Sequence, residues 1–122
     1  MFKYLLISIF ILMINTNAYS LELIMISTKS CVYCKKFLKD VGLKYNIPQL
    51  PIVIVDDYDR PKWFIKAYKK KQIKPYRGVP IFIIWNEKEK KEIDRIVGYL
   101  GKERFYNDLQ KIFVRIVNEK KD

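Results

Sequence analysis

A pair of cysteines at a strand-to-helix junction constrains this chain more than any other feature. Cys31 and Cys34 are its only cysteines and stand three positions apart. The apolar run 21–26 before them indicates a buried strand, and residues 34–45 after them form an amphipathic stretch. Its periodicity predicts a helix that Gly42 ends or loosens. A C-x-x-C pair at such a junction is typical of proteins that form and break disulfides. The pattern therefore predicts a redox-active pair.

The two cysteines are expected to differ in exposure. Cys34 shares one apolar helix face with residues at helical spacing: Phe37, Leu38 and Val41. With Ser30 as the helix N-cap, Cys31 would lie at the exposed tip and act as the attacking nucleophile, because unpaired N–H groups there favour a thiolate. Cys34 would be the buried resolving thiol. A static structural disulfide is the alternative, although closing so short a loop stabilises a fold little.

The amino-acid composition limits which other functions the chain can have. The chain has 122 residues, half of them hydrophobic, which is enough for one domain with a proper core. Its net charge of +11 suggests nucleic-acid binding, but the lysines are spread along the chain and no such motif is present. There is no histidine, which removes histidine-based acid–base chemistry and most zinc sites. We expect no cofactor, no metal and no nucleic-acid partner.

The first 20 residues have the features of a secretory signal peptide. Lys3 precedes an apolar run at 4–14, and small residues at 18–20 offer a cleavage-like spacing. The run is too short for a comfortable membrane span, and an uncleaved N-terminal anchor is the alternative. We predict a signal peptide at 1–20 and a single domain at 21–122. That domain would lie in the periplasm, an oxidising compartment, and would be membrane-anchored if the signal is not cleaved.

The remaining pattern predicts an α/β fold of order β-α-β-α-β-β-α. Further strands are indicated at 51–55, 81–85 and 92–97, the last two as a hairpin, with helices after Pro61 and from Lys102. This order implies a mixed central sheet with helices on both faces. Pro80 opens a predicted buried strand, where proline is otherwise unfavourable. A cis Val79–Pro80 bond would turn the Val79 backbone toward a substrate, and an ordinary trans proline is the alternative.

Taken in order, three features resemble the thioredoxin superfamily: the strand before Cys31-Val32-Tyr33-Cys34, the segment Gly78-Val79-Pro80, and Gly98 before the last helix. The resemblance implies a thioredoxin-like fold, a cis Pro80 facing the cysteine pair, and Val79 at the substrate-binding position. Segment 96–101 and the helix after it are similar to small exported thioredoxins of the SoxS type, which implies a reductant role toward periplasmic proteins.

The sequence departs from the usual thioredoxin pattern in two places. Val32-Tyr33 stands where thioredoxins have Gly-Pro, and it is closer to the Pro-Tyr of glutaredoxins. Met25 occupies the approximate position of a buried aspartate, so the sequence identifies no proton acceptor for Cys34. The Tyr33 hydroxyl could hydrogen-bond near the sulfurs, and packing at the surface is the alternative.

These observations predict an enzyme, an exported monomeric thiol–disulfide oxidoreductase that acts as a reductant. Cys31 and Cys34 would form the redox-active disulfide, with Val79, Pro80 and Tyr33 contacting the substrate. The expected partners are protein thiols or disulfides and an upstream redox donor, with membrane contact only through an uncleaved signal. A copper(I) carrier or chaperone that uses both thiolates is the alternative.

Overall fold

The computed structural model describes residues 20–121, and their secondary structure follows the predicted order. The strands are β1 (Leu21–Ser27), β2 (Ile52–Asp56), β3 (Ile81–Asn86) and β4 (Lys91–Val97). The helices are α1 (Val32–Phe37), α2 (Lys62–Lys69) and α3 (Lys102–Lys121). A π-helical segment, Leu38–Gly42, continues α1. The predicted signal peptide, apart from Ser20, lies outside the described residues.

Within residues 20–121, the strands form one mixed sheet in the order β2-β1-β3-β4. β1 and β2 are parallel, whereas β3 is antiparallel to both β1 and β4. The two central strands, β1 and β3, are almost entirely buried, which explains why they stand out as continuous apolar runs. β3 and β4 form the predicted hairpin.

Two apolar cores lie on opposite faces of this sheet. On one face, Phe37 of α1 and Phe105 of α3 pack with Phe82 of β3. On the other face, Phe64 of α2 belongs to the same buried cluster as Trp85 of β3. Helices therefore cover both faces, and the predicted mixed central sheet with helices on both faces is confirmed. No helix in the described range is both long enough and apolar enough to cross a membrane.

The first helix ends at the residue that the sequence predicts. Its helical structure ends at Gly42, within the amphipathic stretch 34–45, and its last turn is π-helical. Glycine has a low helix propensity, which accounts for the end of the helix. Beyond that point, the Tyr45 hydroxyl donates a hydrogen bond to the Leu50 carbonyl at 2.6 Å, which fixes the connection to β2.

A buried ion pair on β4 anchors the loop that leads to Pro80. The Glu92 side chain is 2 % exposed and accepts hydrogen bonds from Arg95 Nε at 2.5 Å and from the Lys74 backbone N–H at 3.1 Å. Arg95 also donates to the carbonyl oxygens of Lys74 and Pro75, at 2.9 and 3.0 Å. Glu92 and Arg95 therefore hold the backbone of this loop in place a few residues before Pro80.

Removing the cation of this pair should destabilise the fold. Arg95→Met would leave the Glu92 carboxylate buried without its partner, and we expect the free energy of unfolding to fall by about 3 kcal/mol. Arg115→Met is the matched control, because Arg115 pairs with Asp94 of the same strand at the surface. That variant should lose less than about 1 kcal/mol. Urea denaturation measures both, and equal losses would contradict the anchoring role of Arg95.

Candidate active site

The two cysteines form a disulfide at the start of α1, with their Cα atoms 5.2 Å apart. Cys31 is itself the N-cap of α1, so the prediction that Ser30 caps this helix is wrong. The Cys34 backbone N–H donates to Cys31 Sγ at 3.0 Å. The sulfur therefore takes the capping position that a serine hydroxyl takes in many helices.

The two cysteines lie in different environments, as their helical positions predict. Cys34 is 1 % exposed and belongs to the core that contains Phe37 and Phe82. Cys31 packs against the edge of that core and is partly exposed. When the disulfide is reduced, a thiolate at Cys31 can accept the Cys34 N–H, which favours the ionised form. One cysteine is thus partly accessible at the start of a helix, and the other is enclosed.

Pro80 lies at the same edge of the sheet as the disulfide. The Val79–Pro80 peptide bond is cis. The next residue, Ile81, pairs with Ile26 at the end of β1, only a short turn before Cys31. Val79 is half-buried and, like Cys31, packs against the core that contains Cys34. The fold therefore brings the cysteine pair and the Val79–Pro80 segment to one edge.

A third segment, residues 98–101, joins this edge. The Gly98 N–H donates to the Pro80 carbonyl at 2.9 Å. The hydroxyl of the buried Tyr99 donates a hydrogen bond to Asp40 Oδ2 at 2.9 Å, and Asp40 lies in the π-helical segment after α1. Burial, together with this hydrogen bond, raises the pKa of Tyr99 to about 12. Segment 98–101 is therefore held both to Pro80 and to the helix that carries the cysteines.

The surface beside the disulfide is apolar and open. Val32 and Tyr33, between the cysteines, are 73 % and 59 % exposed, so the Tyr33 side chain faces solvent. Leu100, in the segment that Gly98 joins to Pro80, is also exposed. Sequence analysis included Leu100 in segment 96–101 but assigned it no place at the site, because a single leucine in a loop is not distinctive until the fold places it at this edge.

Sequence analysis also missed a polar cluster that joins two loops of this edge. Asp57, just after β2, accepts hydrogen bonds from Arg60 Nη2 at 2.8 Å and from the Tyr76 hydroxyl at 2.6 Å. The Arg60 guanidinium lies 5.4–5.8 Å from the ring centroids of three aromatic residues: Phe64, Tyr68 and Tyr76. Burial and the hydrogen bond to Asp57 raise the pKa of Tyr76. Residues of these common types form no recognisable sequence motif, and the cluster becomes evident only when the fold brings the two loops together.

The position expected to hold a buried aspartate in thioredoxins is apolar here. Met25 is fully buried in the core that contains Cys34, and it pairs with Phe82 across the sheet. No group of three or more His, Cys, Asp or Glu side chains in the described part of the chain is arranged to hold a metal ion.

Comparisons with known proteins agree with this geometry. The sequence profile of the thioredoxin-like domain matches residues 13–113. The chain is similar in structure to the periplasmic thioredoxin SoxS from Paracoccus pantotrophus in its reduced form. That match has a TM-score of 0.61 at 20% identity and covers 76% of this chain and 95% of that one. No curated protein sequence matches significantly.

Two further solved structures have the same fold. A thioredoxin from Fasciola hepatica matches with a TM-score of 0.56 at 21% identity, covering 81% of this chain and 86% of that one. A poplar thioredoxin h matches with a TM-score of 0.54 at 19% identity, covering 81% of this chain and 80% of that one. Likeness at these identities shows the fold alone.

The family is shown by the sequence profile, which spans most of the chain, and the resemblance inferred from the cysteine and proline motifs is confirmed. With the Cys31–Cys34 disulfide at the active-site position of this fold, the protein is a thiol–disulfide oxidoreductase. The chain belongs to the thioredoxin-like domain family.

Proposed function

We propose that this protein is exported and that it reduces disulfides in partner proteins. The observation that carries the proposal is the asymmetry of the pair, in which Cys34 is buried and Cys31 is partly exposed at the start of a helix. An exchange reaction with a protein substrate needs this asymmetry, because one sulfur must reach the substrate while the other waits nearby.

In the proposed reaction, the Cys31 thiolate attacks one sulfur of a partner disulfide. A Cys31–partner disulfide forms, and the other partner sulfur leaves as a thiolate. Cys34, as its thiolate, then attacks Cys31 Sγ, which forms the Cys31–Cys34 disulfide and releases the second partner sulfur. The partner gains two electrons, and this protein loses two. An upstream donor must then reduce Cys31–Cys34 for another cycle.

The segment opposite the disulfide is proposed to hold the substrate. Val79 precedes the cis Pro80, and its backbone N–H and C=O are proposed to pair with an extended segment of the partner, as an added strand does. Tyr33 is exposed between the cysteines and would contact the same segment. Such main-chain pairing tolerates many side chains, which suits an enzyme that acts on protein disulfides.

Two observations support export and the reductant direction. Residues 1–20 have the charge, apolar run and small residues of a signal peptide, and one structural relative is a periplasmic thioredoxin. The reductant direction is proposed from the family relation, because thioredoxin has a reduction potential of about −270 mV, well below that of the strong oxidants. We propose that the protein works as a monomer.

The order of attack can be tested by trapping. Cys34→Ser should accumulate mixed disulfides with partner proteins, because Cys31 still attacks and nothing resolves the intermediate. Cys31→Ser should accumulate none, because Cys34 is buried. Non-reducing electrophoresis after rapid alkylation measures both variants. Equal trapping by the two variants, or none by either, would contradict the assigned roles.

The direction of electron flow can be read from the reduction potential of the Cys31–Cys34 couple. We expect a value near about −270 mV, as in a reductant, rather than near about −120 mV, as in a strong oxidant. Equilibration with a dithiol redox buffer, followed by alkylation and mass spectrometry, gives this value. A potential close to that of the strong oxidants would refute the reductant role and leave thiol–disulfide exchange intact.

A copper(I) carrier is the second candidate, because two soft thiolates suit that ion. The burial of Cys34 favours exchange, since a carrier must deliver its ion from both sulfurs. We expect the reduced protein to catalyse insulin reduction by a dithiol, and to bind copper(I) no more tightly than a matched dithiol peptide. Copper titration against a competing chelator measures the second property. Tight stoichiometric binding without reductase activity would favour the carrier.

A further inference from the structure

We propose that Asp56 is the proton acceptor for Cys34. The inference rests on the thiol–disulfide exchange proposed above, but it does not depend on the direction of electron flow. The chemical need follows from burial, because a thiol surrounded by apolar groups resists ionisation, and only the thiolate attacks a disulfide. Cys34 is 1 % exposed, so the reduced enzyme needs a nearby group that takes its proton.

A cleft beside Cys34 contains such a group. The cleft has a volume of about 310 Å³ and lies between the β1–α1 turn, α1 with its π-helical segment, and β2. Besides Cys34, its charged and larger apolar lining residues are Lys29, Lys35, Leu38, Ile54 and Asp56. Asp56 is the one carboxylate among the lining residues of this cleft.

The register of the sheet explains why Asp56 lines the same cleft as Cys34. Side chains alternate along β2, so Ile54 and Asp56 line the cleft while Val55 is buried in the core on the opposite face. Asp56 pairs with Ser27 at the end of β1, and the chain then turns toward Cys31. The last residue of β2 is therefore brought beside the start of the helix that carries Cys34.

The Asp56 carboxylate is held in place and can still accept further hydrogen bonds. Its Oδ1 accepts the Tyr58 backbone N–H at 3.0 Å, which orients the side chain. A carboxylate has four lone-pair sites on its two oxygens, so one hydrogen bond leaves room for others. Direct contact with Cys34 Sγ is not required, because water occupies about 30 Å³ in the liquid and a cleft of this size admits it.

The other ionisable and polar groups around this cleft are poorer acceptors. Lys29 and Lys35 are cations with no lone pair to offer, and they favour a thiolate by their charge alone. The Ser27 and Thr28 hydroxyls, which also line the cleft, are very weak bases. The sequence contains no histidine.

The neighbouring carboxylates lie outside the cleft. Asp57 is engaged by Arg60 and by the Tyr76 hydroxyl. Asp59 is exposed, and its backbone N–H donates to the Asp56 carbonyl in the same turn. Neither residue lines the space next to Cys34.

The proposed step moves one proton and one electron pair. The Asp56 carboxylate takes the proton of the Cys34 thiol, directly or through one water. The Cys34 thiolate then attacks Cys31 Sγ of the mixed disulfide, so the Cys34–Cys31 bond forms and the bond from Cys31 to the partner sulfur breaks. The partner sulfur leaves with the electron pair as a thiolate. In the reverse direction, Asp56 returns the proton to Cys34.

The test follows the attack by Cys31 and the attack by Cys34 as two phases of one absorbance trace. Reduced full-length protein is mixed with an aromatic disulfide that releases one coloured thiol when Cys31 attacks and a second when Cys34 resolves the intermediate. For Asp56→Asn we expect an unchanged first phase and a second phase slowed on the order of 10²-fold at neutral pH, the usual scale of a lost general base. The defect should shrink as pH rises, because hydroxide then removes the proton.

Asparagine keeps an acceptor for the Tyr58 N–H, so Asp56→Asn should fold. Asp56→Glu retains a carboxylate and should recover much of the second phase. Asp59→Asn is the matched control from the same turn and should leave both phases unchanged. The inference would be overturned if the rate of the second phase were the same in the wild type and in Asp56→Asn. It would also be overturned if Asp56→Asn slowed this phase equally at every pH, or if the Asn and Glu variants had equal second-phase rates.

Failure of the underlying function would be seen elsewhere in the same experiment. Absence of the first phase in the wild-type protein would refute thiol–disulfide exchange, and the role of Asp56 with it. A normal first phase, followed by a second phase whose rate is unchanged in Asp56→Asn, would refute only the role of Asp56.

Discussion

The hydrogen bond from the Cys34 N–H to Cys31 Sγ determines how both sulfurs of this protein are presented. It makes Cys31 the cap of α1, so the helix begins one residue later than it would with Ser30 as the cap. Helical geometry then carries Cys34 into the core beside Phe37. The accessible sulfur and the enclosed sulfur are thus two consequences of one helix start, and their difference in exposure follows from position alone.

The edge of the sheet around this helix start is built from polar contacts that cross between loops. Glu92 and Arg95 hold the loop before Pro80 from the side of β4, and Asp57 with Arg60 holds it through Tyr76 from the side of β2. The apolar cores orient the strands and helices, whereas these partly buried charges position the loops between them. A cleft with Asp56 on its wall completes the arrangement on the other side of Cys34.

Sequence reasoning reached the order of the elements, the mixed sheet and the burial of Cys34, because each of these depends on local periodicity. It placed the helix cap at Ser30, since hydroxyl side chains are the usual caps and a sulfur cap has no sequence signature. It identified no acceptor for the Cys34 proton, because the position in β1 that holds an aspartate in thioredoxins is occupied here by the apolar Met25. Asp56 lies 22 residues after Cys34, at the end of a different strand.

The sequence by itself determined the chemistry available to this protein: two thiols at helical spacing, no histidine, and apolar strands sufficient for a core. The tertiary structure alone decided which other groups meet those thiols. The parallel pairing of β1 and β2 brings Asp56 beside the cysteine helix, and the antiparallel pairing of β1 and β3 brings Pro80 to the same edge. Contacts between residues distant in the chain depend on strand register and handedness, which local patterns do not encode.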